Sequence, residues 1–136
     1  MNRLLRPLLI AASVLVVTGC TSKPVLIPQE RLAEHSVTEP QVRYAIFDNL
    51  QSRGWVVTGN RDRLVEAETI EHTKYWVALD IPYSAAGFQI RYRDSRELGH
   101  KDGKIQRQYN QWVGDLDIGI MRSLQHDEVR KAAESQ

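Results

Sequence analysis

The sequence predicts an α+β domain: an amphipathic helix, a four-stranded antiparallel meander and a second amphipathic helix, with both helices packed on one sheet face. Three observations predict it. A capped segment with helical spacing covers residues 38–54. Short alternating segments, separated by turn residues, fill residues 55–93. One apolar stripe then recurs every three or four residues over 104–124.

The first helix should begin at Thr38. Thr38-Glu39-Pro40-Gln41 combines a capping hydroxyl, an acidic first turn, an early proline and a glutamine at the capping-box position. Val42, Ala45, Ile46 and Leu50 form its apolar face, and Gly54 is a natural stop. Residues 55–58 read as a strand and Gly59-Asn60-Arg61-Asp62 as a turn. Residues 64–72 form a second strand, with Val65, Ala67 and Thr69 on one face and Glu66 and Glu68 on the other. A third covers 76–81, stopped by Pro82, and 83–87 is a loop. A fourth covers 88–93, burying Phe88, Ile90 and Tyr92 and exposing Gln89, Arg91 and Arg93. Connections this short favour antiparallel pairing.

Residues 94–103 are polar and should be a loop. The last helix is expected over 104–124, with Ile105, Tyr109, Trp112, Val113, Leu116, Ile120 and Leu124 on its stripe. Gly114 and Gly119 each cost roughly 1 kcal/mol relative to alanine, so packing must support this helix. The charged tail, residues 126–136, frays or extends it.

Upstream of the domain the pattern changes. Arg3 and Arg6 precede an uncharged apolar run over residues 8–17, which leads to Val17-Thr18-Gly19-Cys20. A charged start, a short apolar run and small residues before a cut mark a secretory signal. The run is too short for a bilayer core, which takes roughly 20 residues. Val17-Thr18-Gly19-Cys20 resembles the lipobox of bacterial lipoprotein precursors. The resemblance implies that residues 1–19 are removed and that Cys20, the only cysteine, becomes the lipidated N-terminus. Such lipoproteins typically carry three acyl chains, and two or more give durable anchoring. Thr21, where an aspartate commonly signals inner-membrane retention, implies the outer membrane and a periplasm-facing domain, with a surface-exposed orientation as the other possibility.

The organisation expected is therefore a leader (1–19), a lipidated tether (20–37), one α+β domain (38–125) and a charged tail (126–136). The tether contains Ser22, Pro24, Pro28 and Ser36 and has no sustained periodicity, although Val25-Leu26-Ile27 offers a patch that would dock on the domain instead. All 17 acidic residues follow Cys20, and two of the 18 basic ones precede it, so the mature chain carries one acid in excess. That balance excludes nucleic acid as a partner, because phosphate binding needs concentrated basic charge. It also promises no polybasic reinforcement of membrane contact. Once Cys20 is lipidated no disulfide remains, so packing alone must stabilise the fold.

Chemistry is sparse. His35, His72, His100 and His126 are not spaced as metal ligands, and no phosphate-binding loop or nucleophile elbow is present. No cofactor, metal or catalytic set is expected. Asp94, Ser95 and His100 make a triad on paper, but Asp and Ser after a strand are ordinary turn formers. Glu66, Glu68, Glu71 and Asp80 bring carboxylates together. The favoured reading pairs Glu66 or Glu68 with Arg91 or Arg93, at about 0.2–1 kcal/mol per pair. Trp55, Trp76, Phe88, Tyr92, Tyr109 and Trp112 are many rings for a small domain. They read first as core, and secondly as the lining of a groove.

Phe88-x-Ile90-x-Tyr92-x-x-Ser95-x-x-Leu98, then Ile105, then Tyr109-Asn110-x-Trp112-Val113-x-x-Leu116, resembles a pattern in small bacterial lipoproteins of unknown function. The resemblance covers most of the mature chain and brings no activity with it. It directs attention to Ser95, Tyr109 and Asn110, which with Tyr92 and Trp112 of the ring set are the candidate binding residues; Asn110 is expected to hydrogen-bond the 94–103 loop. The function expected is a non-enzymatic, lipid-anchored binding or adaptor domain for an envelope protein. A small-ligand binder with an aromatic cleft is the alternative, and a hydrolase using Ser95 or the carboxylates is the third.

Overall fold

The computed structural model describes residues 22–32, 37–71 and 73–134, apart from the side chains of Leu32 and of 128–133. The leader, Cys20, His35 and His72 lie outside the described residues. The element order is β1 (Ser22–Pro24), β2 (Arg31–Leu32), α1 (Glu39–Ser52), β3 (Val56–Arg61), β4 (Leu64–Glu71), β5 (Tyr75–Ser84), β6 (Gly87–Phe88), β7 (Arg91–Arg96), β8 (Lys104–Gln106) and α2 (Arg107–Glu134). The fold is α+β, with two helices and antiparallel strand pairing. No described helix is long and apolar enough to cross a membrane.

Helix α1 starts where its capping residues place it. The Thr38 hydroxyl accepts from the Gln41 backbone N–H, and the Gln41 side chain accepts from the Thr38 N–H. Gly54 ends it at φ +79°, a conformation costly for any residue with a Cβ. Val42, Ala45, Ile46 and Leu50 are buried against the sheet residues Val65, Ala67, Val77, Leu79 and Ile81. Tyr109, Val113, Leu116, Ile120 and Leu124 of α2 join the same core.

β4 pairs with β3 on one side and β5 on the other, and β5 pairs with β7. The alternation of β4 is as expected: Val65, Ala67 and Thr69 are buried, and Glu66 and Glu68 face outward, half-buried. Several boundaries differ from expectation. The β3–β4 turn is Asp62-Arg63, both at positive φ, not Gly59–Asp62. Gly59 sits within β3 at a register shift, where a Cβ would collide with the Glu66 carboxylate. Pro82 does not end β5. It pairs with Leu64 of β4, but the neighbouring Tyr83 N–H donates to Arg63 on that side, so the Pro82 nitrogen faces the other side, in the gap between the last β7 pair, Asp80↔Arg91, and the first β6 pair, Tyr83↔Phe88. The expected strand 88–93 is two pieces, β6 and β7, on either side of Gln89-Ile90.

The last helix starts three residues later than expected and runs on to Glu134. Lys104–Gln106 is drawn into a strand by Ser22–Pro24, a partner far away in sequence that no local pattern announces. Gly119 packs where a Cβ would strike Asn49 of α1 and Arg53, which follows α1, so it permits the close approach of the two helices. The segment read as a tether is laid against the domain from Ser22 to Leu32; of the Val25-Leu26-Ile27 patch, Val25 packs against the core, while Leu26 and Ile27 stay exposed. Gly114 lies beneath Leu26 of this segment.

Candidate functional site

The rings expected to line a groove divide between core and rim. Trp55, Phe88 and Tyr109 are buried. Tyr92, Trp76 and Trp112 are half-buried. Tyr92 packs edge-on against Tyr109, with ring centroids 5.6 Å apart, and lies 4.5 Å from the His100 ring. Its hydroxyl shares a 3.0 Å hydrogen bond with Ser95 Oγ. Burial, reinforced by nearby Tyr92, pushes the Tyr109 phenol pKa well above its ordinary value, so it stays neutral. The Tyr109 hydroxyl finds no hydrogen-bond partner among the described residues.

Tyr92 thus joins Ser95, Tyr109 and His100 of the 97–103 loop in one cluster. Ser95 bonds Tyr92 and its backbone N–H donates to its neighbour's Asp94 Oδ1, and no hydrogen bond joins Ser95 to His100 among the described residues. Leu98 is buried and accepts from the Gln106 N–H, which ties the loop to β8.

Asn110 and Trp112 lie apart from that cluster. The Asn110 side chain does not make the hydrogen bond to the 94–103 loop that the sequence predicts. Its Nδ2 donates to the Pro24 carbonyl and its Oδ1 accepts from the Leu26 N–H, both at 2.8 Å. One amide side chain therefore satisfies the N-terminal segment as a neighbouring strand would. Further along α2, Asp117 Oδ2 accepts from both Nε and Nη2 of Arg31, at 2.9 and 2.7 Å. That bonding raises the Arg31 pKa further, so the guanidinium stays charged. Gln89 adds a bond to the Pro28 carbonyl. Nothing local in the sequence marks Asn110 and Asp117 as partners of residues 24–31.

Trp112 packs against Tyr75, at 6.1 Å between ring centroids, and lines a cavity of about 110 Å³ with Trp55, Arg53, Glu71 and Asp115. Small-molecule sites typically occupy about 300–1,000 Å³. The cavity beside Trp55 and Trp112 is smaller than that range.

The outer sheet face holds the densest polar arrangement. A bulge places Arg93 as the extra residue between the pairs Leu79↔Tyr92 and Ala78↔Asp94. Its guanidinium meets Glu66 Oε1 at 2.9 Å, Glu68 Oε1 at 3.2 Å and Asp80 Oδ1 at 3.5 Å. The last distance is ion pairing without hydrogen-bond geometry, and Asp80 Oδ1 has no hydrogen-bond partner among the described residues. Glu68 also accepts from the Trp76 indole, and the Arg96 guanidinium sits 4.6 Å over that ring. Arg93, more than Arg91, is the expected partner of these carboxylates. Arg91 instead bonds Gln89. Among the described residues no group of His, Cys, Asp and Glu is arranged to hold a metal ion.

Around this network lies apolar surface. Val56 and Ile70 are about two-thirds exposed (63% and 65%) and flank Glu68 on that face. β3 pairs only with β4 among the described strands, so no described strand covers its other edge. No family model matches the chain. Comparisons with curated proteins and with solved structures find no match either.

Proposed function

We propose that this chain is a lipid-anchored protein of the outer membrane, facing the periplasm, whose domain is a non-enzymatic adaptor for another envelope protein. The working unit is the four-stranded antiparallel meander β3-β4-β5-β7, with both helices on its inner face and its outer face left to the partner. The observation that carries this is the β3 edge, covered by no described strand, beside exposed Val56 and Ile70. An extended segment of the partner adds to β3 through backbone hydrogen bonds, and its side chains meet Val56, Ile70 and the Trp76 ring. The Arg93 network gives the face a fixed charge pattern, which favours specificity over raw affinity. The leader and Cys20 supply the address, and the commitment of Ser95 to Tyr92 supports a binding role over a hydrolytic one.

The test is a photo-crosslinking residue at Val56 or Ile70 in living cells, with exposed Tyr44 of α1 as the control position. A discrete envelope-protein adduct at 56 and 70, absent at 44 and in the Cys20→Ser form, is expected. Equal labelling at all three positions would sink the adaptor reading.

A further inference from the structure

We infer that the β1–β8 ribbon, with the start of α2, is a second contact with the membrane: a basic surface that lies on anionic phospholipid headgroups beside the anchor. The sequence shows no polybasic run, but the fold makes a basic cluster. Ser22–Pro24 pairs with Lys104–Gln106, which brings Lys23 to Ile105 and Pro24 to Lys104. Lys101 and Lys104 face each other across a tight turn, through paired backbone bonds of 2.9 Å. Arg107 follows directly as the first residue of α2. Lys23, Lys101, Lys104 and Arg107 are all exposed. None of the four has a carboxylate partner among the described residues, whereas Arg31, Arg63 and Arg93 all do.

The carboxylates at this end are Asp102, in the turn, and Glu97, in the preceding loop. α2 has no acidic residue in its first turn, so the positive end of its dipole is left uncompensated by side chains. The ribbon end is therefore net positive on a mature chain that is net acidic.

Position selects the partner. Ser22 is already paired, and Cys20 is two residues before it, a reach of about 7 Å. A lipid on Cys20 leaves this surface within about one Debye length of the headgroups, where each Lys or Arg improves binding to anionic lipid roughly fivefold. The docked N-terminal segment thus works against spacing. It holds the domain down in one orientation, with its basic end on the lipid. This rests on the lipid-anchored reading of Cys20.

The experiment uses the mature chain purified from membranes and placed on vesicles of phosphatidylcholine, or of phosphatidylcholine with 30% phosphatidylglycerol. Amide hydrogen exchange is read by mass spectrometry, and the mass of the N-terminal peptide reports acylation of Cys20. Exchange over residues 97–107 is expected to slow on the phosphatidylglycerol vesicles alone, to recover in 1 M NaCl and to recover in Lys101→Gln/Lys104→Gln/Arg107→Gln. The distal Asp62-Arg63 turn should not respond. Equal exchange on both vesicles, or protection that survives the triple substitution, overturns the inference. An acylated Cys20 with no lipid dependence removes the basic contact and keeps the anchor. An unmodified Cys20 with lipid-dependent protection removes the anchor and keeps the contact.

Discussion

The helices and the N-terminal segment both cover the same domain, yet they are held by opposite means. α1 and α2 grip the sheet with apolar side chains, from Val42 and Ile46 to Leu116 and Ile120, that are wholly buried. Residues 22–32 are held by polar pins: the Asn110 amide on the Pro24 and Leu26 backbone, Asp117 on Arg31, Gln89 on Pro28 and the β1–β8 ladder. The difference is energetic. A buried aliphatic side chain brings about 1.5–3 kcal/mol. A hydrogen bond nets about 0.5–1.5 kcal/mol, because the unpinned groups return to water. The helices should therefore melt only with the whole domain, while the N-terminal segment can lift locally.

The largest effect expected belongs to the apolar side. Ile46→Ala removes a fully buried side chain between α1 and the sheet, so it should cost about 2–5 kcal/mol. For a domain of this size each kcal/mol lowers the melting temperature by about 4–8 °C. Urea denaturation checks it. A loss below about 1 kcal/mol would mean that α1 is not part of the cooperative core.

The intermediate effect separates the two regions. Asn110→Ala should cost about 1 kcal/mol, since two hydrogen bonds go but their backbone partners are reached by water. Adding Asp117→Ala should roughly double the loss. Arg31 keeps 38% of its side chain exposed, which holds the cost below the 3–5 kcal/mol of a fully buried pair. The comparison turns on where the effect appears. Amides of residues 24–31 should exchange faster, while those of β4 and β5 keep their protection. Uniform loss across the domain would show that the segment is part of the core and the contrast false.

The same division explains what could be read from sequence. Apolar burial leaves a periodic trace, so α1, β4 and the stripe of α2 are legible as they stand. Capping is local too, and Thr38 with Gln41 marks the start of α1 within one turn. Polar pins leave no period. Asn110 reads as a helix residue near a loop, and its bonds to residues 24–26 need a chain reversal that no neighbour encodes. Lys104–Gln106 continues a helical stripe in sequence through Ile105, yet becomes a strand because Ser22–Pro24 is beside it. Gly59 resembles a turn residue, but its role is to leave room for the Glu66 carboxylate across the hairpin. Of the candidate binding residues, Tyr92, Ser95 and Tyr109 do meet. Asn110 and Trp112 project from other parts of α2, because a 100° step per residue separates positions that stand next to one another in sequence.

Tyr109 gives the smallest effect and the sharpest contrast, for it places one polar atom inside the apolar region. Its hydroxyl is buried without a hydrogen-bond partner among the described residues, so removing it gives up little. Tyr109→Phe should leave stability at pH 7 unchanged within about 0.5 kcal/mol, or raise it slightly. Its signature is alkaline. The unfolded chain ionises this phenol near pH 10, while the folded chain holds it neutral to higher pH. Above about pH 10 the unfolded state therefore binds fewer protons than the folded one, and stability falls as pH rises. That contribution is complete below pH 10 and absent in the phenylalanine variant, whose urea midpoint should decline less steeply between pH 10 and 11.5. A clear loss at pH 7 would mean instead that the hydroxyl is satisfied by bound water, making this part of the core as polar in its bonding as the segment pinned by Asn110.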